Sequence, residues 1–296
     1  MSENKIIQTI TEDIFLEKEI DVAILRLDTL HPIVSGNKLF KLKYYLEEVK
    51  QNNKTGIVTL GGSHSNHLVA AAYASKERSI SSIGIVRGER PDVLSKSLAD
   101  CINYGMQLEF ITRKEFDELN VSELEKKYPN KTIIPQGGYG RMGAKGAKEI
   151  LSAEDTSDYN YILAASGTGT MAAGLINESG ANQKIILVSV LKNNFSIKEE
   201  ITALIHEPSL EKNNFEILFD YHHGGYAKKN KGLLDDMNLF YKKHKIPTDF
   251  VYTGKLISAF YKLVKIDYFL KKSKILLIHS GGLQGNRSLL AGDLTF

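Results

Sequence analysis

Short β-branched runs alternate with helical patterns almost from end to end of this 296-residue chain, and that alternation restricts the fold more than any other feature. Strands are expected at 22–27, 56–60, 82–87, 108–112, 132–134, 159–164, 185–190, 215–219 and 275–279. Several of these runs are continuously apolar, as in strands of a parallel sheet covered on both faces. Between them, Leu39, Leu42, Leu46 and Val49 recur on one face of a helix over 39–49, and 64–76 and 256–264 carry similar patterns. Such an order implies an α/β fold. More than seven strands suggest two sheets, and no Pro- or Ser-rich linker separates them. The expected architecture is two open, twisted, mostly parallel sheets flanked by helices, one domain inserted in the other. Residues 1–44 and 140–296 would form the large domain and 45–139 the small one.

Composition narrows the partners. With 38 basic and 35 acidic residues the net charge is only +3, and no basic cluster is interleaved with aromatics, so a nucleic-acid partner is not expected. The single cysteine, Cys101, excludes an intramolecular disulfide framework and fits a reducing compartment. The first twenty residues scatter charges with no apolar core, so no signal peptide is expected. The uncharged stretch 161–177 is interrupted by Gly, Ser and Thr and is too short to span a bilayer. A cytoplasmic protein with no membrane partner is the expectation.

Six segments hold chemistry-bearing residues. Gly167-Thr168-Gly169-Thr170 follows an expected strand and opens a helix through Met171, the form of a phosphate cradle. No Gly-Lys-Ser/Thr and no GxGxxG accompanies it, which argues against nucleotide loops; a merely structural turn stays open. Lys38 sits at a helix N-terminus with Lys41 one turn on, and both effects favour its neutral, nucleophilic form. A solvated surface lysine is the bland alternative. In Gly61-Gly62-Ser63-His64-Ser65-Asn66-His67, polar groups follow the end of a strand, where α/β proteins place ligands. Here an N-cap role for Ser63 or Ser65 competes. His64 and His67 fall three apart on the expected helix, but no third ligand motif accompanies them and no metal is expected. Tyr226, Tyr252 and Ser280 lie in loops beside glycines, each on its own readable as turn or packing.

In order and chemistry these segments resemble the 1-aminocyclopropane-1-carboxylate deaminase / D-cysteine desulfhydrase family, which belongs to the tryptophan-synthase-β-like, fold type II pyridoxal-phosphate (PLP) enzymes. Gly36-Asn37-Lys38-Leu39-Phe40-Lys41-Leu42 matches the family's lysine motif and Gly61-Gly62-Ser63-His64-Ser65-Asn66 its serine–asparagine segment. The resemblance implies pyridoxal 5'-phosphate carried by Lys38, with its phosphate on Gly167, Thr168, Gly169, Thr170 and Met171. It puts Ser65 at the substrate, Asn66 on the cofactor's phenolic oxygen, Tyr226 as acid or base and Tyr252 near the ring. Hydroxyls after the second tyrosine and the final histidine, here Thr253 and Ser280, are the desulfhydrase pattern, where ring-opening deaminases tend to carry Glu and Leu. The implied activity is β-elimination from a small amino acid, foremost D-cysteine, by a homodimer. Cyclopropane-ring deamination, a non-catalytic PLP-binding protein and a hydrolase using Ser65 and His67 are the alternatives. Three departures bear on the substrate: Leu25-Arg26-Leu27-Asp28 before the lysine, a trimmed 134–146 segment, and His64 where Gln is common.

Overall fold

The computed structural model describes residues 6–206 and 214–296. Ten strands among them form two sheets. The larger has the order β1 (Ile7–Ile10), β2 (Asp21–Arg26), β10 (Lys274–His279), β7 (Tyr161–Ser166), β8 (Lys184–Ser189) and β9 (Phe215–Leu218). The smaller has the order β5 (Met106–Ile111), β4 (Ser81–Arg87), β3 (Gly56–Gly61) and β6 (Lys131–Ile134). All pairings are parallel except β1 with β2. All nine expected strands are present, with ends shifted by a residue or two. β1 was not anticipated: it is a four-residue edge strand with only Ile10 buried, too short for a periodic signal.

The apolar runs are continuous because each strand feeds two cores. In β2, Ala23 and Leu25 pack on one side and Val22 and Ile24 on the other. β10 repeats this with Leu276 and Ile278 against Ile275 and Leu277. One side is covered by helices Arg141–Ser152 and Thr170–Glu178, the other by Lys231–His244 and Thr253–Lys265. In the smaller sheet, Ile57 and Ile134 face helices Asn37–Gln51 and Asn66–Glu77, while Val58 and Ile133 face a second core with Phe116 and Leu124.

Two helix readings are corrected. Leu39, expected on the buried face of its helix, is 36% exposed; Tyr45 and the amphipathic Lys41 are buried instead with Leu42, Leu46 and Val49. Lys41 and Leu42 lie three and four residues after Lys38 and four and three before Tyr45, so all four share a face and the stripe begins at the two lysines. The second helix starts at Asn66, not at 64, because Ser65 occupies its N-cap. His64 therefore lies in the preceding turn and does not share a helical face with His67.

The chain leaves the larger sheet after β2, builds the smaller one, returns at β7, and ends by inserting β10 between β2 and β7. Connections diverge at β7 and β10, and the crevice beyond their carboxyl ends is where such sheets take ligands.

Candidate active site

A cavity of about 450 Å³ opens at that crevice. Both sheets supply its walls: the loops after β3 (Ser65, Asn66) and β6 (Gln136, Gly137), after β7 (Gly167, Thr168, Gly169), β8 (Leu191) and β10 (Ser280, Gly281). Lys38, Lys41, Met171, Tyr226 and Tyr252 also line it.

Lys38 is brought there by the turn before its helix. Gly36 has φ +67°, and a Cβ on it would lie 1.9 Å from the Ser280 carbonyl oxygen, so only glycine allows this close approach. The Asn37 N–H then donates to the same oxygen at 3.1 Å, tying the lysine turn to the loop after β10. The Lys38 ammonium donates to Asn37 Oδ1 at 2.7 Å. Burial draws its amine down to about 8, opposed by the Asp249 carboxylate. Burial, rather than the helix dipole or Lys41, is thus the leading cause of its reactivity. Lys41 is 3% exposed with no acidic partner among the described residues, and burial, reinforced by the charge on Lys38, draws it well below the ordinary lysine range.

On the other wall, Gly169 is the N-cap of helix Thr170–Glu178 with φ +73°, and no side chain caps that end. A Cβ there would come 2.7 Å from Ile201, and one on Gly167 would press the Tyr252 ring at 3.2 Å. The first-turn N–H groups have no intrahelical acceptor; Gly167, Thr168, Gly169 and Met171 line the cavity, while Thr170 is fully buried and outside the lining, its hydroxyl 3.2 Å from that of Thr168. Lys41 and this cradle are what a phosphate dianion needs. Asn66 lines the cavity, donates from Nδ2 to the Gly282 carbonyl at 3.1 Å and leaves Oδ1 buried without a partner. These features fit pyridoxal phosphate.

Ser65 both lines the cavity and caps: its Oγ accepts from the Leu68 N–H at 3.2 Å. His67 Nε2 pairs with Thr59 Oγ1 at 2.8 Å, and burial together with Lys38 and Lys41 holds the imidazole well below its usual range. No Ser65–His67 hydrogen bond is present, so the hydrolase alternative lacks its dyad. No cluster of three His, Cys, Asp or Glu suited to a metal occurs among the described residues.

The Tyr226 and Tyr252 rings meet edge to face, centroids 6.2 Å apart. Tyr226 is 52% exposed at the mouth, and Tyr252 is partly buried at the start of helix Thr253–Lys265. Burial of the hydroxyls raises both phenols, so both are protonated donors near neutral pH.

Thr253 requires correction as a cavity residue. It is 1% exposed and absent from the cavity lining, its hydroxyl bonded to Asp249. Ser280 does line the cavity, and its hydroxyl has no hydrogen bond to another described residue. Asp249 was missed from sequence. It is fully buried, accepts from the N–H groups of Val251, Tyr252 and Thr253, and so fixes Tyr252; an Asp just before a helix start was the available signal. The Arg26-Leu27-Asp28 departure also acquires a role: Arg26 holds Asp28 through two bonds of 2.8 and 2.7 Å, and Asp28 lies 3.1 Å from Nδ1 of His279, the residue before Ser280.

A lysine amine and a glycine phosphate cradle on the walls of one crevice between two parallel sheets define a class, the fold type II PLP enzymes. Residues 11–281 match the pyridoxal-phosphate dependent enzyme family, and the chain belongs to it; its cofactor is pyridoxal phosphate. It is 29% identical over 285 residues to a Pyrococcus horikoshii protein provisionally named 1-aminocyclopropane-1-carboxylate deaminase, covering 90% of this chain and 85% of that protein. It is 25% identical to the D-cysteine desulfhydrase of Klebsiella pneumoniae subsp. pneumoniae, covering 88% of this chain and 87% of the relative. The crystal structure of an ACC deaminase homologue superposes with a TM-score of 0.78 at 25% identity, covering 95% of this chain and 90% of the other. No described helix is long and apolar enough to cross a membrane.

Proposed function

We propose that this chain removes a β-substituent and the amino group from a small amino acid, with D-cysteine as the substrate, consuming water and releasing pyruvate, sulfide and ammonia. The observation that carries the finer assignment is Ser280 in the cavity wall with its hydroxyl free of any described partner, at one of the two positions where the resemblance separates desulfhydrases from ring-opening deaminases. Thr253 no longer adds to it, since its hydroxyl is engaged by Asp249.

Bound pyridoxal phosphate would withdraw electrons from the substrate Cα, so that a proton and then a β-leaving group can depart. Lys38 carries the cofactor, and its amine, released when the substrate takes its place and lowered to about 8, takes the Cα proton, the more readily as pH rises through 8. The N–H groups of Gly167, Thr168, Gly169, Thr170 and Met171 hold the phosphate together with Lys41, whose charged form the phosphate dianion would favour against the burial that lowers it. Asn66 meets the phenolic oxygen, and Ser65 with the helix N-terminus it caps holds the substrate carboxylate. Tyr226, kept protonated, supplies a proton to the leaving sulfur, and Tyr252 packs against the ring. Ser280 donates to the ring nitrogen.

Deamination of 1-aminocyclopropane-1-carboxylate to 2-oxobutyrate is a second reading, supported equally by the names of the relatives. The same proposal takes residues 1–44 and 140–296 as the large domain and 45–139 as the small, a division that falls inside helix Asn37–Gln51. It takes the working enzyme as a cytoplasmic homodimer; the lone Cys101, buried with its thiol pushed up to about 12, accords with reducing surroundings. Sulfide from D-cysteine and 2-oxobutyrate from the cyclopropane substrate, measured side by side, test the assignment. Faster 2-oxobutyrate release overturns it, and turnover of neither, by protein that binds PLP, leaves the carrier reading.

A further inference from the structure

Lys255 lies wholly inside the protein, in the first turn of helix Thr253–Lys265, and takes no part in the chemistry above. Its ammonium makes no ion pair among the described residues. It donates to two main-chain carbonyls, Gly225 at 2.6 Å and Val190 at 3.4 Å. Gly225 precedes Tyr226, and Val190 precedes the cavity residue Leu191. The segment it grips carries strain at its two ends, where His223 and Ala227 have left-handed φ of 50° and 51° on either side of Gly224, Gly225 and Tyr226. One row of the helix, Tyr252, Lys255 and Ser258, touches this segment throughout. Tyr252 meets the Tyr226 ring, and Ser258 Oγ lies 3.1 Å from His223 Nε2.

Burying a lysine against neutral carbonyls is unfavourable, and a methionine of similar length would fill the space without that cost. What methionine cannot do is donate to Gly225.

We propose that Lys255 is a positioning residue that clamps the loop carrying Tyr226 and so holds that phenol over the cavity. The catalytic consequence rests on the proton-donor role given to Tyr226 above; the clamp itself does not.

The test compares holoenzyme forms of the wild type, Lys255→Met, Lys255→Gln, Tyr226→Phe and the Lys255→Met/Tyr226→Phe double variant. Amide exchange across 221–227 should quicken in Lys255→Met and return towards wild type in Lys255→Gln, whose amide can still donate. Turnover should fall roughly tenfold or more in Lys255→Met, with cofactor absorbance kept, and fall little further when Met is added to Tyr226→Phe. Unchanged exchange in Lys255→Met overturns the clamp, and an equal loss of turnover in both backgrounds overturns its action through Tyr226. If Lys255→Met does not fold, Lys255→Leu, which also removes the donor, takes its place, and unchanged exchange across 221–227 in that variant overturns the proposal. A failure of the Tyr226 role reads separately, as unchanged turnover in Tyr226→Phe with the exchange result intact.

Discussion

Thr253 and Asp249 hold each other across the start of the last long helix: the Thr253 hydroxyl donates to Asp249 Oδ1 at 2.7 Å and accepts from the Asp249 N–H at 2.7 Å. The same carboxylate takes the Tyr252 N–H at 2.9 Å, so this reciprocal pair sets the direction of the Tyr252 side chain into the cavity. Thr253→Val should therefore lower stability by about 1–2 kcal/mol, the cost of leaving the buried Asp249 N–H unpaired and of losing the hydroxyl bond to its carboxylate. Thr253→Glu should not create a ring-opening deaminase; it buries a second carboxylate beside Asp249 and should lower stability further. Urea denaturation and the two product assays check both.

Capture of the cofactor by apoprotein depends on the state of Lys38. With the amine drawn down to about 8, it is ammonium below that pH and nucleophilic above it. The rate of PLP uptake should rise through pH 8 and level off beyond, where an ordinary lysine would keep rising towards its value of 10.5. Stopped-flow absorbance measures this, and borohydride reduction should fix the pyridoxyl mass on the Lys38 peptide. Label on another lysine would refute the assignment.

Lys41 should matter to the phosphate and not to the ring. Lys41→Met is expected to weaken PLP binding roughly tenfold or more, the scale of one charge-assisted contact. Binding of pyridoxal, which lacks the phosphate, should be nearly unchanged. Equal weakening of both ligands would remove Lys41 from the phosphate site.

Ser65 does two things with one hydroxyl, and they separate by substitution. Ser65→Ala should cost about 1 kcal/mol through the lost cap and also lose most turnover. Ser65→Asp keeps a capping oxygen and should restore the melting temperature, but a carboxylate there repels the substrate carboxylate, so turnover stays low. Restored turnover in Ser65→Asp would leave Ser65 a cap alone.

Much of this protein is written locally. The apolar runs of β2, β7, β8 and β10 announce strands covered on both faces, and Gly167-Thr168-Gly169-Thr170 announces a helix start open to an anion, because each depends on contiguous residues and their own backbone geometry. The lysine at a helix start is equally local. What sequence could not assign is which way side chains turn once distant loops converge. Thr253 and Ser280 read alike as loop hydroxyls, yet one is consumed by Asp249 and the other faces the cavity. Nothing local announces that Lys41 is buried, which packing alone brings about, and the short edge strand β1 exists only because β2 offers it a partner. Lys38 shows the division most plainly. Its place at a helix start is local, but its lowered affinity for a proton comes from desolvation in a crevice whose walls come from two sheets. Desolvation depends on neighbours far apart in the chain, and only the folded structure brings them together.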